Sequence, residues 1–326
     1  MTEFEYVDFT SCKPGNKFYD GASGRKQSVE YGGKNYMLKF AGGISSKEIK
    51  YVLDSYSNAP LCEYIGSHIY SFLGIPVHNT ILGTCKVNGK DKLVVACEDF
   101  NKLPGDQLIS FAKIKTTFIA SDLQDIGSDS NGTGTDFAEV LSVVHEHPVF
   151  EPIREEVKDR FWDMLVIDAL IANSDRNNGN WGLIEHLDGK RELSPVFDNG
   201  CCLHNSWDDN KVKKSLNDYD FLEQTIIPNQ VSVYTEKGKR INPCHRMESL
   251  QYEDCNKAVL RNIPKIKESL YDIDNFIDSI PENINNVPCI SSDKKKFYKQ
   301  VIHTYYEDCL LPVFEKLKEK SCCPQR

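Results

Sequence analysis

The sequence predicts an α+β fold in two lobes, strand-rich over residues 1–103 and helical over residues 104–326. Two observations lead there. β-Branched and aromatic residues recur between turn signals through the first hundred residues, and helical periods take over afterwards. A third observation concerns chemistry. Two short polar runs, Asn173 to Asn180 and Asp198 to Gly200, follow the most apolar helix pattern in the chain.

In chain order, Phe4 to Phe9, Lys26 to Tyr31, Tyr36 to Phe40, Val77 to Val87 and Lys92 to Phe100 read as strands. Gly32-Gly33 and Asn88-Gly89 fit tight hairpin turns. One helix interrupts the strands: Asn58 is placed to cap it, Leu61, Ile65, Ile69 and Phe72 share a face, and Gly74 ends it. Ser121 to Asp136, with Gly127, Gly132 and Gly134, reads as a surface loop. A long helix runs from about Pro152 to Asn173, with Ile153, Val157, Phe161, Leu165 and Leu170 near a helical period. A hairpin follows: Trp181 to His186, a turn at Asp188-Gly189, then Glu192 to Phe197. Two more helices are expected, Ile263 to Ile280 and Lys294 to Lys318, the second kinked or broken before Pro312.

Composition narrows the class. The 326 residues suffice for two lobes with a substantial core, and 40% hydrophobic with 27% charged content is that of a soluble globular chain. The net charge is −9 and no large basic patch gathers, which argues against nucleic-acid or anionic-membrane binding by the chain itself. Met164 to Ala172, the longest apolar stretch, is broken by Asp168 and is too short to span a bilayer. The N-terminus carries no secretory pattern, so the twelve cysteines are expected as reduced thiols in a cytoplasmic protein. Cys201, Cys202, His204, Cys244 and His245 match no zinc module, and core or surface thiols is the reading adopted. Lys294-Lys295-Lys296 reads as the solvated start of a helix.

The polar runs carry the chemistry. Asp175, Asn180 five residues on, and Asp198 at the end of an apolar strand form the carboxylate and amide set that phosphoryl transfer from ATP requires. Asp175 would orient an acceptor hydroxyl, Asn180 and Asp198 would ligate Mg2+ through hard oxygens, and Arg176 would brace the loop by pairing with a carboxylate. In the strand lobe, Lys39 lies on the strand face opposite Leu38 and Phe40 and can reach nucleotide phosphates as a point charge. Glu63, on the only helix there, is the natural partner for Lys39. Gly21, Ala22, Ser23 and Gly24, followed by Lys26, form a turn whose backbone amides can approach phosphate oxygens, although it is not a P-loop. Glu98, near the end of its strand, completes the nucleotide-contacting candidates.

These residues resemble the HipA-like serine/threonine kinases, whose fold is related to the phosphatidylinositol 3- and 4-kinases. That family carries a Gly-Ala-rich turn with a nearby lysine, a strand ending in a lysine, an Asn-x-Asp-Arg-His-x-x-Asn loop and a later metal-binding Asp. The matching pieces are Gly21 to Lys26, Lys39, Asn173 to Asn180, and Asp198. Glu63-Tyr64 through Leu73-Gly74-Ile75-Pro76-Val77 is similar to the family's N-lobe helix and next strand. The likeness spans roughly residues 15–205 and thins out in the C-terminal helices. It implies a bilobal protein-kinase-like architecture, dependence on ATP and Mg2+, a protein acceptor, and autophosphorylation. Relatives act as toxins beside an antitoxin or as kinases delivered into host cells, which implies an antitoxin-like or host partner.

Two departures stand out. The family histidine after Asp-Arg is Asn177 here, which removes one loop contact. Phe18, Tyr19 and Asp20 occupy the approach where the family places its regulatory serine, leaving Ser23 and Ser28 as nearby phosphosite candidates. Two alternatives fit the same residues: a lipid or small-molecule kinase of the same fold, and a non-catalytic nucleotide-binding regulator.

Overall fold

The strand signals of the first hundred residues resolve into one six-stranded sheet. The structure is a computed structural model that describes residues 4–17, 26–40, 50–122 and 134–322. The strands are β1 (Val7–Asp8), β2 (Lys13–Pro14), β3 (Lys26–Tyr31), β4 (Lys34–Phe40), β5 (Thr80–Val87) and β6 (Lys90–Glu98), with helix α1 (Lys50–Phe72) between β4 and β5. Their order is β1-β5-β6-β4-β3-β2, and every pairing is antiparallel except β1 with β5. The chain continues through β7 (Gln107–Ser110), α2 (Phe111–Asp122), α3 (Phe137–Glu146), a 3-10 turn (Pro148–Ile153), α4 (Arg154–Leu170), β8 (Gly182–Glu185) and β9 (Arg191–Leu193). Then come α5 (Asp209–Asn217), α6 (Tyr219–Asn229), a small hairpin of β10 (Thr235–Glu236) and β11 (Lys239–Arg240), α7 (Pro243–Glu248) and α8 (Glu253–Ser279). A last hairpin of β12 (Asn283–Ile284) and β13 (Val287–Pro288) precedes α9 (Ser292–Thr304), a π-helical turn (Tyr305–Leu310) and α10 (Leu311–Cys322). Among the described residues, no helix is long and apolar enough to cross a membrane.

The chain forms two compact units that interleave in sequence. The first comprises Met1–Asp99, Asp198–Thr225 and Glu268–Thr304. Its sheet alternates as pleating demands, with Tyr36, Leu38 and Phe40 of β4 buried and Met37 and Lys39 turned to the other face. Phe9, Val29, Leu38, Phe40, Val94 and Ala96 share one apolar cluster. Helix α1 packs on this unit with Leu61, Cys62, Ile65, Ile69, Tyr70 and Leu73 all buried. Two expectations for this helix fail. Phe72 is 39% exposed, because Tyr70 and Leu73 take the inward positions of the last turn. Asn58 caps nothing, since the helix starts eight residues earlier at Lys50. Its buried amide instead donates to the Asn205 carbonyl at 2.6 Å and accepts from Lys294 Nζ at 2.8 Å.

The second unit comprises Phe100–Phe197, Ile226–Lys267 and Tyr305–Arg326. Helix α4 runs through its interior, with Val157, Phe161, Trp162, Met164, Leu165 and Leu170 buried. Its first half carries exposed Glu155, Glu156 and Asp159, whereas every residue from Phe161 to Leu170 is buried, so no single apolar stripe runs its length. Phe137, Phe161, Trp162 and Tyr234 lock around it in edge-on and tilted ring contacts of 5.3–6.1 Å. Strands β7, β8 and β9 form a three-stranded sheet, in which β8 directly follows the run 171–181 and β9 leads towards Phe197. Of the expected Ser121–Asp136 loop, residues 123–133 lie outside the described residues, while Asp136 caps α3 by accepting from the amides of Ala138 and Glu139. The expected break before Pro312 is present as the π turn Tyr305–Leu310, which ends two residues ahead of the proline.

The expectation of reduced thiols fails at Cys244 and Cys309, which form a disulfide. They lie 65 residues apart, on α7 and in the π turn, so sequence spacing gave no sign of it. In the chain-entropy account, closing a loop of that length contributes about 4 kcal/mol. Peptide mapping without reductant should recover the Cys244–Cys309 pair, and reductant should lower the thermal midpoint. An unchanged midpoint would remove the bond from the stability of the fold.

Candidate functional site

Lys39 and Glu63 sit where neither can solvate its charge fully, and each answers the other. Glu63 is fully buried on α1, and its Oε2 lies 2.6 Å from Lys39 Nζ. The same ammonium reaches Asp198 Oδ1 at 2.7 Å, so one lysine bridges two carboxylates. Asp198 is the outward member, with a side chain 38% exposed against 0% for Glu63. Its φ of 61° is left-handed, a region Asp enters more readily than most residues and one that recurs at functional turns.

The second oxygen of Glu63 is satisfied as well. Oε1 accepts from the Asn199 backbone amide at 3.0 Å and lies 2.9 Å from His78 Nε2. His78 also meets Ser67 Oγ at 3.2 Å, and Ser67 accepts from Asn199 Nδ2 at 3.0 Å. Two glycines allow this closeness. A Cβ on Gly66 would stand 3.0 Å from Asn199 Cβ, and one on Gly200 would stand 3.2 Å from the Ala59 carbonyl oxygen. Burial alone would raise the Glu63 carboxyl, but Lys39 and His78 outweigh it and hold the group far below its ordinary range. Burial would likewise lower Lys39, and Asp198 and Glu63 together push it well above an ordinary lysine.

Of the nucleotide-contacting candidates, Gly21, Ala22, Ser23 and Gly24 lie outside the described residues. Lys26 pairs across the sheet with Lys39, which puts the two side chains on one face. Glu98 lies across the sheet from Tyr36. It accepts from Lys34 Nζ at 2.9 Å and from Asn79 Nδ2 at 2.9 Å at the end of β6. Ser28 is a poor phosphate acceptor, because its hydroxyl is buried within β3 and makes no hydrogen bond.

In the second unit, the run after α4 is folded by its own side chains. Helix α4 stops at Leu170, and Ala172 takes φ 53° to turn the chain. Arg176 is 3% exposed and grips Asp168 with two parallel bonds, Nε to Oδ2 at 2.9 Å and one terminal nitrogen to Oδ1 at 3.1 Å. Its other terminal nitrogen donates to the carbonyls of Asn180 and Phe197, the latter immediately preceding Asp198 in sequence. Asn173 Nδ2 adds a third bond to Asp168 at 2.9 Å, and its Oδ1 accepts from the Asp175 amide. Asn180 donates its Nδ2 to the Asp175 carbonyl at 2.8 Å, which leaves Oδ1 as the acceptor of its side chain. Asn177 does make loop contacts: Nδ2 reaches Asp175 Oδ1 at 3.2 Å and Oδ1 accepts from the Gly179 amide at 2.8 Å.

The structure therefore brings Lys39, Glu63 and Asp198 together within the first unit, and Asp175, Arg176 and Asn180 together within the second. Sequence reasoning passed over His78, Ser67, Asn199 and the partner of Arg176. Only Asp168 had a signal: a carboxylate inside an apolar helix run must find a partner.

No family model matches the chain. Serine/threonine-protein kinase CtkA of Helicobacter pylori strain J99 is 34% identical over 306 residues, a span of 93% of this chain and 84% of that protein. The crystal structure of the Helicobacter pylori proinflammatory kinase CtkA matches with a TM-score of 0.84 and 32% identity, covering 99% of this chain and all of that one. HipA of Shewanella oneidensis MR-1, solved with HipB and its operator DNA, matches with a TM-score of 0.54 over 94% of this chain and 69% of that one; at 13% identity it shares the fold alone.

Two outcomes follow from this geometry. Glu63 is held below its ordinary value of 4.5 only in the folded state, so its contribution to stability is complete above that pH and drains as the pH falls further. Glu63→Gln should therefore unfold at lower urea than wild type at neutral pH, with the gap narrowing towards about pH 3; a constant gap would contradict the pairing. Arg176→Ala strands the buried Asp168 carboxylate and should cost roughly 3–5 kcal/mol in chemical denaturation, most of it recovered when Asp168→Asn is added.

Proposed function

The chain belongs to the HipA-like family of serine/threonine-protein kinases, and from that premise we propose that it moves the γ-phosphoryl group of Mg-ATP onto a protein serine or threonine hydroxyl. The observation that carries this reading is the Lys39 ammonium, held at 2.6 Å by a buried glutamate and at 2.7 Å by the aspartate of the Phe-Asp-Asn-Gly run. A lysine so fixed is a preset positive point for the α- and β-phosphates, with no rotamer freedom left to lose on binding.

The partly exposed Asp198 carboxylate and the Asn180 Oδ1 left over once its nitrogen is engaged are proposed as hard oxygen donors of the kind magnesium prefers. Magnesium held there would neutralise charge on the β- and γ-phosphates during transfer. Asp175 is proposed to orient the acceptor hydroxyl and take its proton late in the reaction, with Asn177 and the Asn173 side chain fixing its carboxylate and its amide. Arg176 touches no reactant in this reading. Paired with Asp168, it positions the loop that bears Asp175. The nucleotide turn is assigned to Gly21, Ala22, Ser23, Gly24 and Lys26. The strand-rich and helical lobes of residues 1–103 and 104–326 are proposed as its working halves. The proposed setting is cytoplasmic, with autophosphorylation and an antitoxin-like or host protein as partner.

Transfer of labelled γ-phosphate from Mg-ATP, with sites located by mass spectrometry, tests this directly. Asp175→Ala should lower turnover by roughly 10²–10⁴-fold while nucleotide binding persists. Asp198→Ala should abolish the magnesium dependence of nucleotide binding along with transfer. Retained transfer in Asp198→Ala, or label on inositide vesicles rather than on protein, would overturn the reading.

A further inference from the structure

We propose that Glu63, His78 and Cys97 form a zinc site that, when filled, takes Glu63 away from Lys39. Among the described residues this is the group of imidazole, thiol and carboxylate whose ligand atoms all lie within 4.8 Å of one another, and all three residues are buried. Nitrogen, sulfur and oxygen in one cluster are the donors zinc accepts. Bond lengths near 2.0–2.3 Å put tetrahedral ligands about 3.5 Å apart, so a separation as long as 4.8 Å must close by roughly 1 Å and the Glu63–His78 pair must open by about 0.5 Å. Glu63 Oε1 and His78 Nε2 already stand 2.9 Å apart, joined by one hydrogen that the metal would replace.

The strand register supplies a further observation. Thr80 of β5 lies directly opposite Cys97 of β6, so their side chains share a face. The Thr80 hydroxyl is buried and has no hydrogen-bond partner, although such groups are nearly always satisfied. A fourth metal position, filled by a water bonded to that hydroxyl, would satisfy it. Access is also present: a cavity of about 380 Å³ is lined by Ser67, His68, His78, Asn79 and Thr80. His78 and Thr80 thus both line a route open to a cation.

Binding is a ligand exchange with a simple balance. Cys97 gives its thiol proton to solvent, the hydrogen on His78 Nε2 passes by way of solvent to Nδ1 so that the imidazole binds as a neutral ligand, and the metal accepts three electron pairs. Nothing is oxidised or reduced. The Glu63 charge, now matched by the metal, no longer requires Lys39. The inhibitory consequence rests on the proposed role of Lys39 in phosphoryl transfer; the metal site itself does not.

The test uses the full chain, stripped of metal with a chelator and titrated with Co2+ and then Zn2+. Wild type should take up one equivalent of Co2+, with a thiolate-to-cobalt charge-transfer band that Zn2+ abolishes. Cys97→Ala should lack the band, and Cys97→Ser serves the same end should the alanine variant not fold. Zn2+ should lower wild-type phosphate transfer by about tenfold, within the usual span of coupling between sites, and should leave the Cys97 variants within about twofold. Absence of the band in wild type, its persistence in both variants, or equal inhibition of all three proteins would overturn the proposal. If metal-free wild type transfers no phosphate, the kinase reading fails while the cobalt spectrum still decides the site.

Discussion

A fully buried carboxylate organises the first unit. Glu63 has no access to water, and an uncompensated charge there would cost several kcal/mol. The fold meets this demand with an ammonium at 2.6 Å, an imidazole at 2.9 Å and a backbone amide at 3.0 Å. Those three partners come from β4, from the segment entering β5, and from the chain just after Asp198. Their convergence fixes how α1 lies on the sheet and where residues 198–205 run. Cys202 and Asn205 then tie that segment down: the first bonds the Cys62 carbonyl at 3.3 Å, and the second accepts Asn58 at 2.6 Å through its own carbonyl.

The second unit solves the same problem with a different cation, and the difference is informative. Asp168 is matched by a guanidinium, whose planar fork bonds both carboxylate oxygens and still has a nitrogen for two carbonyls. An arginine used this way is saturated and 3% exposed, a rigid brace. Lys39 is a point charge on a flexible stem, with a side chain 17% exposed. Exchanging the two would fail at both places, since lysine cannot make the fork and a five-donor guanidinium held by one oxygen from each of two carboxylates would strand its remaining donors.

The residues that proved legible are those whose chemistry is local in sequence. Asp175, Arg176 and Asn180 fall within six positions, and the alternation of Met37 to Phe40 states on which face Lys39 must lie. His78, Ser67, Cys97 and Thr80 were illegible because only the sheet register and the packing of α1 bring them together, and neither leaves a spacing in the chain. The Cys244–Cys309 bond was hidden for the same reason. Helix α1 misled in another way. Asn58 resembles a cap in sequence, yet buried polar contacts to Asn205 and Lys294 explain it better than any terminus. The α+β class was readable throughout, since it depends only on periodicity. The interleaving of two units depends on tertiary contact and was not.

The two carboxylates on Lys39 are not equivalent, and burial decides which can let go. Releasing Asp198 moves a 38% exposed group further into water, and such half-exposed pairs are worth about 1 kcal/mol or less. Releasing Glu63 would leave a fully buried carboxylate without its ammonium. An incoming anion or a hard cation would therefore displace Asp198 from the lysine and leave the Lys39–Glu63 pair whole, as the role proposed for Lys39 requires. Glu63 can part from Lys39 only if another positive charge reaches it inside the protein. His78 and Cys97 are the side chains placed to hold one there.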